Sequence, residues 1–304
     1  MNPKGARQGA SHPDHRRHFR SVLTFDLHGS DEPRAVEMCA EALERLGLTA
    51  VFFVPTTLTT NSQMGPALRS LAACGHEMGT HGHAHDWSEM DALRNGPRSS
   101  LRFLEQSTQR FSEYFGQAPR SFRAPCWCRL CDAAIDELER LGYRVDSSAT
   151  PQRLGLLSSF PFENPYLFSP RSPHFLRRTL LEVPTTSFLI PLGAPTIETF
   201  PRLVLPFARA LMLEASLWRS RILVAQLHVG AHDPKRREAA HSARTWRDLV
   251  PATPGGIRAR HWLRTRDEAT IAQIANGIIS ELSLGRVMTL QEIYGAVGSS
   301  ENNS

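Results

Sequence analysis

The chain has 304 residues, of which 41% are hydrophobic and 21% charged, enough apolar content for a sizeable core and too much for wholesale disorder. Its net charge of +5 is mild, and the basic residues are scattered apart from short clusters at Arg16–Arg17–Arg20 and Lys235–Arg236–Arg237, so no nucleic-acid partner is expected. No run of about 18 uncharged apolar residues occurs, which excludes a membrane-spanning helix. All but two of the 35 basic residues are arginine. The polar, basic start of the chain lacks the apolar core of a secretory signal, so the expected location is the cytoplasm. Five cysteines, an odd number, argue against a disulfide framework.

Residues 1–19 read as a loose tail. Ser21–Asp26 is a predicted strand, and Pro33–Leu46 a helix with apolar spacing at Val36, Cys39, Ala40, Leu43 and Leu46, stopped by Gly47. Ala50–Val54 is an unbroken apolar run, the signature of a parallel strand covered on both faces. A short helix over Leu68–Ala73 and a strand over Glu77–Thr80 follow. Then come an amphipathic helix over Ser99–Phe115, a strand start at Ser121–Arg123 and a helix over Cys131–Leu141. The Pro- and Ser-rich stretch from Pro151 to Pro173 reads as an extended loop within a substrate-binding insertion over about 151–180. Leu180–Val183 and Ile222–Leu227 are predicted buried strands, and Phe200–Leu217 and Asp267–Leu282 helices. Val287–Leu290 ends the alternation, and 298–304 reads as a second tail.

Alternating strands and helices imply a parallel α/β sheet, open or closed into a barrel. No GxGxxG follows the first strand and no GxxxxGK[ST] occurs, so dinucleotide and P-loop folds lose their main support. Functional groups in such folds gather at the carboxyl ends of strands. Asp26 and His28, His81 and His85, Arg123, Asp146 and His228 all fall there. His81 and His85 are spaced i, i+4, which on one helix face lets two imidazoles bind one metal.

The order of these pieces resembles the polysaccharide deacetylase family, the NodB-type carbohydrate esterases and amide hydrolases. Leu23-Thr24-Phe25-Asp26 is similar to its opening TFDD motif, and Gly75-His76-Glu77-Met78-Gly79-Thr80-His81, continued to His85, to its second. Phe122-Arg123-Ala124-Pro125 resembles the third, Gly142–Ser148 the fourth and Gln226-Leu227-His228 the fifth, with Gly285–Leu290 as the closing strand. The resemblance implies a distorted parallel (β/α) barrel of the NodB type in a single domain over 20–297. It also implies a divalent metal, zinc first with cobalt or nickel open, held partly by His81 and His85. Asp26 would be the general base and Arg123 the residue orienting it. His228 would be the general acid and Asp146 the residue orienting that histidine. Pro125, Cys126 and Trp127 would border the substrate, with a backbone N–H near Cys126 stabilising the oxyanion.

Three departures from the family pattern matter. Leu27 stands where the family has a second aspartate that binds metal, and a D-x-ligand alignment makes His28 the third ligand. Strand alternation points 26 and 28 the same way, with 27 turned into the core. Cys126 replaces an aromatic residue and opens a Cys126/Cys128/Cys131 cluster without a partner knuckle, read as ordinary thiols. His232 competes with His228, which is preferred because it directly ends its apolar strand. The expected function is removal of a small acyl group from the nitrogen of an N-acylated amino sugar, as a small molecule or a lipid-linked precursor. A catalytically inactive glycan-binding module and a cyclic imide or ureide amidohydrolase are the alternatives.

Overall fold

A computed structural model of the chain describes residues 19–153, 166–218, 221–229 and 268–301, and the backbone at 251–252 and 256–257. The N-terminal tail up to His18, the Arg16–Arg17 and Lys235–Arg237 clusters and His232 lie outside the described residues. The strands are β1 (Arg20–Asp26), β2 (Val51–Val54), β3 (Glu77–Thr80), β4 (Ser121–Phe122), β5 (Val145–Asp146), β6 (His174–Phe175), β7 (Leu181–Glu182), β8 (Ser187–Phe188), β9 (Ile190–Pro191), β10 (Ile222–His228), β11 (Pro251–Ala252), β12 (Gly256–Ile257) and β13 (Arg286–Val287). The helices are α1 (Pro33–Arg45), α2 (Met64–Ala73), α3 (Trp87–Asn95), α4 (Arg102–Phe115), α5 (Asp132–Arg140), α6 (Ala194–Thr199), α7 (Pro201–Leu217), α8 (Glu268–Leu282) and α9 (Leu290–Glu301). Three of these helices, α3, α6 and α9, fall where the sequence reading placed none. Helix α9 carries regular structure into the stretch expected to be a tail.

The main sheet runs β10-β1-β2-β3-β4-β5-β7-β6, with β13 also paired to β1. All its pairings are parallel except β6 with β7. The sheet curls on itself, and the irregular segment after β7 bridges towards β10. Thr186 N–H donates to the Val224 carbonyl at 3.0 Å, and Gln226 N–H to the Leu192 carbonyl at 3.0 Å. A parallel barrel distorted at this seam is the expected architecture, and a single domain contains it.

Strand parity sorts the side chains into two populations. Leu23, Phe25 and Leu27 pack outward with Phe52, Val54, Leu223, Ala225 and Leu227 beneath the α1, α2, α7 and α8 layer. Val22, Val51, Phe53, Val145, Leu181, Ile222 and Val224 form a separate cluster. The same parity carries Asp26 and His28 onto the inner face at the carboxyl end of β1. Opposite them, Asp26 is in register with His228 on β10. Gly79 on β3 allows the walls to approach, since a Cβ there would sit 2.9 Å from both the Phe53 ring and the Ser121 carbonyl oxygen.

Leu27 is fully buried in the outer cluster, as alternation requires, and does not reach the mouth where a metal ligand would stand. Leu27→Ala is therefore expected to cost about 2–5 kcal/mol of unfolding free energy, the range for a buried leucine truncated to alanine. Denaturant titration of metal-free protein measures it. A loss near zero would place Leu27 in the site instead of the core.

Candidate metal centre and active site

The histidine-rich segment after β3 is not a helix. Residues 81–86 form a bent loop, and α3 begins only at Trp87, so the expected helix-face geometry is replaced by a loop that folds His85 back towards His81. The ring centroids lie 4.8 Å apart. Two left-handed residues make the turn, Gly82 at φ +77° and His85 at φ +58°. Only glycine fits at 82, because a Cβ would come within 2.6 Å of a Glu89 carboxylate oxygen. Glu89 holds the loop: its carboxylate accepts the N–H groups of His83 (3.1 Å), Ala84 (2.7 Å) and His85 (3.1 Å). Sequence reasoning missed Glu89. The signal for it was Asp86-x-x-Glu89, a capping-box spacing, and Asp86 does cap α3 by accepting the Glu89 N–H at 3.0 Å.

His28 completes a trio. Ligand-capable nitrogens of His28, His81 and His85 all lie within 4.8 Å of one another. His81 Nδ1 is 2.8 Å from the Arg123 carbonyl oxygen; donating to it fixes the tautomer and turns the Nε2 lone pair to the trio. His81 is buried, and burial, reinforced by the neighbouring imidazoles, pushes its pKa down to about 3 despite the opposing pull of Asp26. It is thus neutral at ordinary pH, the state a metal ligand needs. His85 Nε2 is buried without a hydrogen-bond partner among the described residues. A buried imidazole nitrogen left bare costs free energy unless a cation occupies it. The residues present therefore fit a divalent metal bound by three imidazoles, a donor set suited to zinc, cobalt or nickel.

Beside the trio, Asp26 is buried with both carboxylate oxygens engaged. Arg123 NH1 donates to one at 2.8 Å and Gln226 Nε2 to the other at 2.8 Å. Burial alone would raise the Asp26 pKa, but the opposing charge of Arg123, with His81 and His228, holds it well below the usual carboxylate range. Arg123 is itself fully buried. It lies 4.3 Å over the Phe53 ring and donates to Thr24 Oγ1 (2.7 Å), the Ser147 carbonyl (2.9 Å) and Ser147 Oγ (2.9 Å). The His228 ring sits 4.7 Å from that of His28, edge to face. Gln226, read from sequence only as part of a motif, is thus a direct partner of Asp26.

Asp146 is placed otherwise than expected. It accepts from Ser148 Oγ at 2.5 Å and is hydrogen-bonded to Glu182 on the adjacent strand β7, so its carboxyl partner is Glu182 and not the His228 imidazole. Burial, and for Glu182 the neighbouring Asp146, push both carboxyls up, Glu182 furthest. Pro125–Trp127 forms one turn in which Cys126 and Trp127 both adopt left-handed backbone, at φ +54° and +53°. Two such residues in succession store strain of the kind found at functional sites, roughly 1–3 kcal/mol each. Pro125 packs against the histidine loop, 3.3 Å from a Cβ built on Gly82. Cys128 is buried, and burial pushes its thiol up, in keeping with an ordinary thiol.

The family model for polysaccharide deacetylases matches residues 15–145. The match covers a little under half of the chain, and over that stretch the chain is similar to this family. Among solved structures, a protein of Mycobacterium smegmatis provisionally assigned as a polysaccharide deacetylase is similar at 16% identity and TM-score 0.60, covering 96% of this chain and 93% of its own. The chitin deacetylase of the fungal pathogen Colletotrichum lindemuthianum is similar at 14% identity and TM-score 0.52, covering 90% and 86%. These likenesses establish the deacetylase fold. No curated protein sequence matches closely enough to count as a relative.

Two outcomes are expected of this domain. Elemental analysis of wild type should find about one metal per chain, lost in both His28→Ala and His81→Ala; retention in His28→Ala would make that residue a bystander. The second concerns the carboxyl pair. A carboxyl whose pKa is higher folded than unfolded binds more protons in the folded state, so stability falls as pH rises above the ordinary glutamate value of 4.5. Glu182→Gln should flatten that fall in thermal unfolding compared between about pH 5 and pH 8. An unchanged slope would mean that the pair is ionised.

Proposed function

We propose that the chain is a metal-dependent amide hydrolase that removes an acetyl or other small acyl group from the nitrogen of an N-acylated amino sugar or a sugar-containing metabolite. The observation that carries the reading is the His28, His81 and His85 trio set beside an aspartate whose proton affinity is tuned by a buried arginine. A binding module has no use for such an arrangement.

When bound, a divalent cation supplies Lewis acidity towards the amide carbonyl and makes water a better nucleophile. Asp26 is the general base that accepts the proton of the attacking water. Arg123 and Gln226 hold its carboxylate in one orientation, which avoids reorganisation during the reaction. His228, in register with Asp26 on the neighbouring strand, gives a proton to the departing amine nitrogen. A backbone N–H near Cys126, in the turn at Pro125–Trp127, would stabilise the developing oxyanion; the Trp127 N–H donates to the Ala124 carbonyl at 3.1 Å. Asp146 acts on the wall of the site through Ser148, whose hydroxyl accepts the Ala124 N–H at 2.8 Å.

Release of free amine from N-acetylglucosamine derivatives tests the proposal. Asp26→Asn and His228→Ala should each lower kcat by about 10²–10⁴, the contribution of a positioned acid or base. Ring opening of small ureides without amine release from any sugar would replace this substrate class with cyclic amides. Glycan binding without turnover in metal-loaded wild type would overturn the enzyme reading.

A further inference from the structure

Helix α7 is apolar on two faces and buries only one. Val204, Ala208, Leu211, Met212 and Ala215 are buried, as a helix lying on the barrel requires. On the other face Leu203, Pro206, Ala210, Leu213 and Leu217 follow at steps of three and four residues, all exposed. That spacing is a second apolar stripe, with Leu213 and Leu217 65% and 73% exposed. Trp218 closes the helix at 64% exposed, and Leu284, just past α8, is exposed as well. Arg209 of α7 pairs with Glu281 of α8 at 2.6 Å, which sets the two helix ends side by side. Phe188 joins from β8 beneath Arg171, which is itself bound to Glu214 of α7. More than half of the large exposed apolar side chains among the described residues thus stand on or beside α7. Scattered singly they would need no explanation; gathered on one face they mark an interaction surface.

The charges bordering this face say what covers it. Its two described carboxylates are already bound: Glu214 by Arg171 at 2.7 Å and Arg221 at 3.6 Å, Glu281 by Arg209. Two further arginines, Arg202 in the first turn of α7 and Arg286 two residues beyond Leu284, are exposed and have no ion-pair partner among the described residues. The outward residues of α8, Gln273, Asn276 and Ser280, are uncharged. The face is therefore apolar along its centre and positive at its margins, with no free carboxylate among the described residues. A second copy of the chain would set the same arginines against each other across a two-fold axis, and juxtaposed like charges oppose association. The surface of an anionic bilayer meets both features. Its acyl boundary takes the leucines and the indole, and its headgroups take the guanidinium groups. Tryptophan is enriched at that depth, where its ring is half in hydrocarbon and half in water.

We propose that the outer face of α7, with the adjoining end of α8, docks on an anionic lipid bilayer through Leu213, Leu217 and Trp218, with Arg202 and Arg286 on the headgroups. The contact is peripheral, since no helix among the described residues is long and apolar enough to cross a membrane. The stripe is presented by a helix already folded against the barrel, so docking does not have to order it. The face contains no residue of the metal centre, and the inference does not rest on the hydrolase reading.

Flotation of the full chain with vesicles of phosphatidylcholine alone, or of phosphatidylcholine mixed with phosphatidylserine, tests it. The mixed vesicles should bind at least about tenfold more tightly, an advantage that shrinks as salt is raised. A Leu213→Ser/Leu217→Ser double variant should bind them about tenfold or more weakly. Both leucines are exposed, so that variant should melt as wild type does. An Arg202→Ala/Arg286→Ala variant should lose most of the preference for the anionic lipid and keep the fold. Equal flotation with the two kinds of vesicle, or none with either, would overturn the proposal. So would undiminished binding in the leucine variant, which would put the lipid on another surface. A wild type that is dimeric by light scattering, and monomeric once the leucines are replaced, would give the face to a second copy instead. Amine release from N-acyl sugars, scored on the same preparations, bears on the hydrolase reading alone.

Discussion

A guanidinium with no access to solvent organises the mouth of this barrel. Arg123 lies over the Phe53 ring and spends its donors on Asp26, Thr24 and Ser147, with Thr185 at 3.4 Å. A buried cation left unpaired is costly, and breaking such a pair by removing one partner typically costs about 3–5 kcal/mol. The chain has therefore committed β1, β4, the segment after β5 and the segment after β7 to satisfying one side chain. The same bonds fix the Asp26 carboxylate, and the Arg123 carbonyl fixes the ring of His81. Structural necessity and site geometry are here one network.

Strand alternation supplies the second constraint. A period of two sends every other residue of β1, β2 and β10 inward, so apolar side chains fill the barrel lower down and Asp26, Gln226, His28 and His228 crown it. Leu27 cannot join them without reversing the face of its whole strand. Replacement of a carboxylate by leucine at this position is compatible with a retained site because His28, one step further, regains the inner face. The loop carrying His81 and His85 reaches the same place by another route: buried Glu89 collects three consecutive backbone N–H groups, doing for a loop what a helix does through its own carbonyls.

Two departures from the expected geometry share a cause. His81 and His85 have a helical spacing, but the loop turns at Gly82 and His85, both in left-handed conformation, and the rings meet across a bend. Asp146 sits at a strand end suited to orienting His228, yet β7 places Glu182 directly beside it. Both outcomes depend on what stands next to a residue in space, Glu89 for the loop and Glu182 for the aspartate; the Asp86-x-x-Glu89 spacing marks the first as a cap, and no local spacing marks the second. Helices α3, α6 and α9 were similarly obscured. They are short or weakly amphipathic, and tertiary packing rather than periodicity stabilises them.

The sequence by itself determined the alternation of buried strands with amphipathic helices, the parallel α/β class, and the strand ends at which Asp26, His28, Arg123 and His228 stand. Periodicity and apolar runs are local properties, and the side of a strand a residue faces follows from counting. Tertiary structure alone decided that Gln226 grips Asp26 and that Asp146 pairs with Glu182. Each of these is a contact between buried polar groups distant along the chain. Burial, which sets both the cost of leaving such a group unpaired and the direction of its pKa, exists only once the barrel has closed.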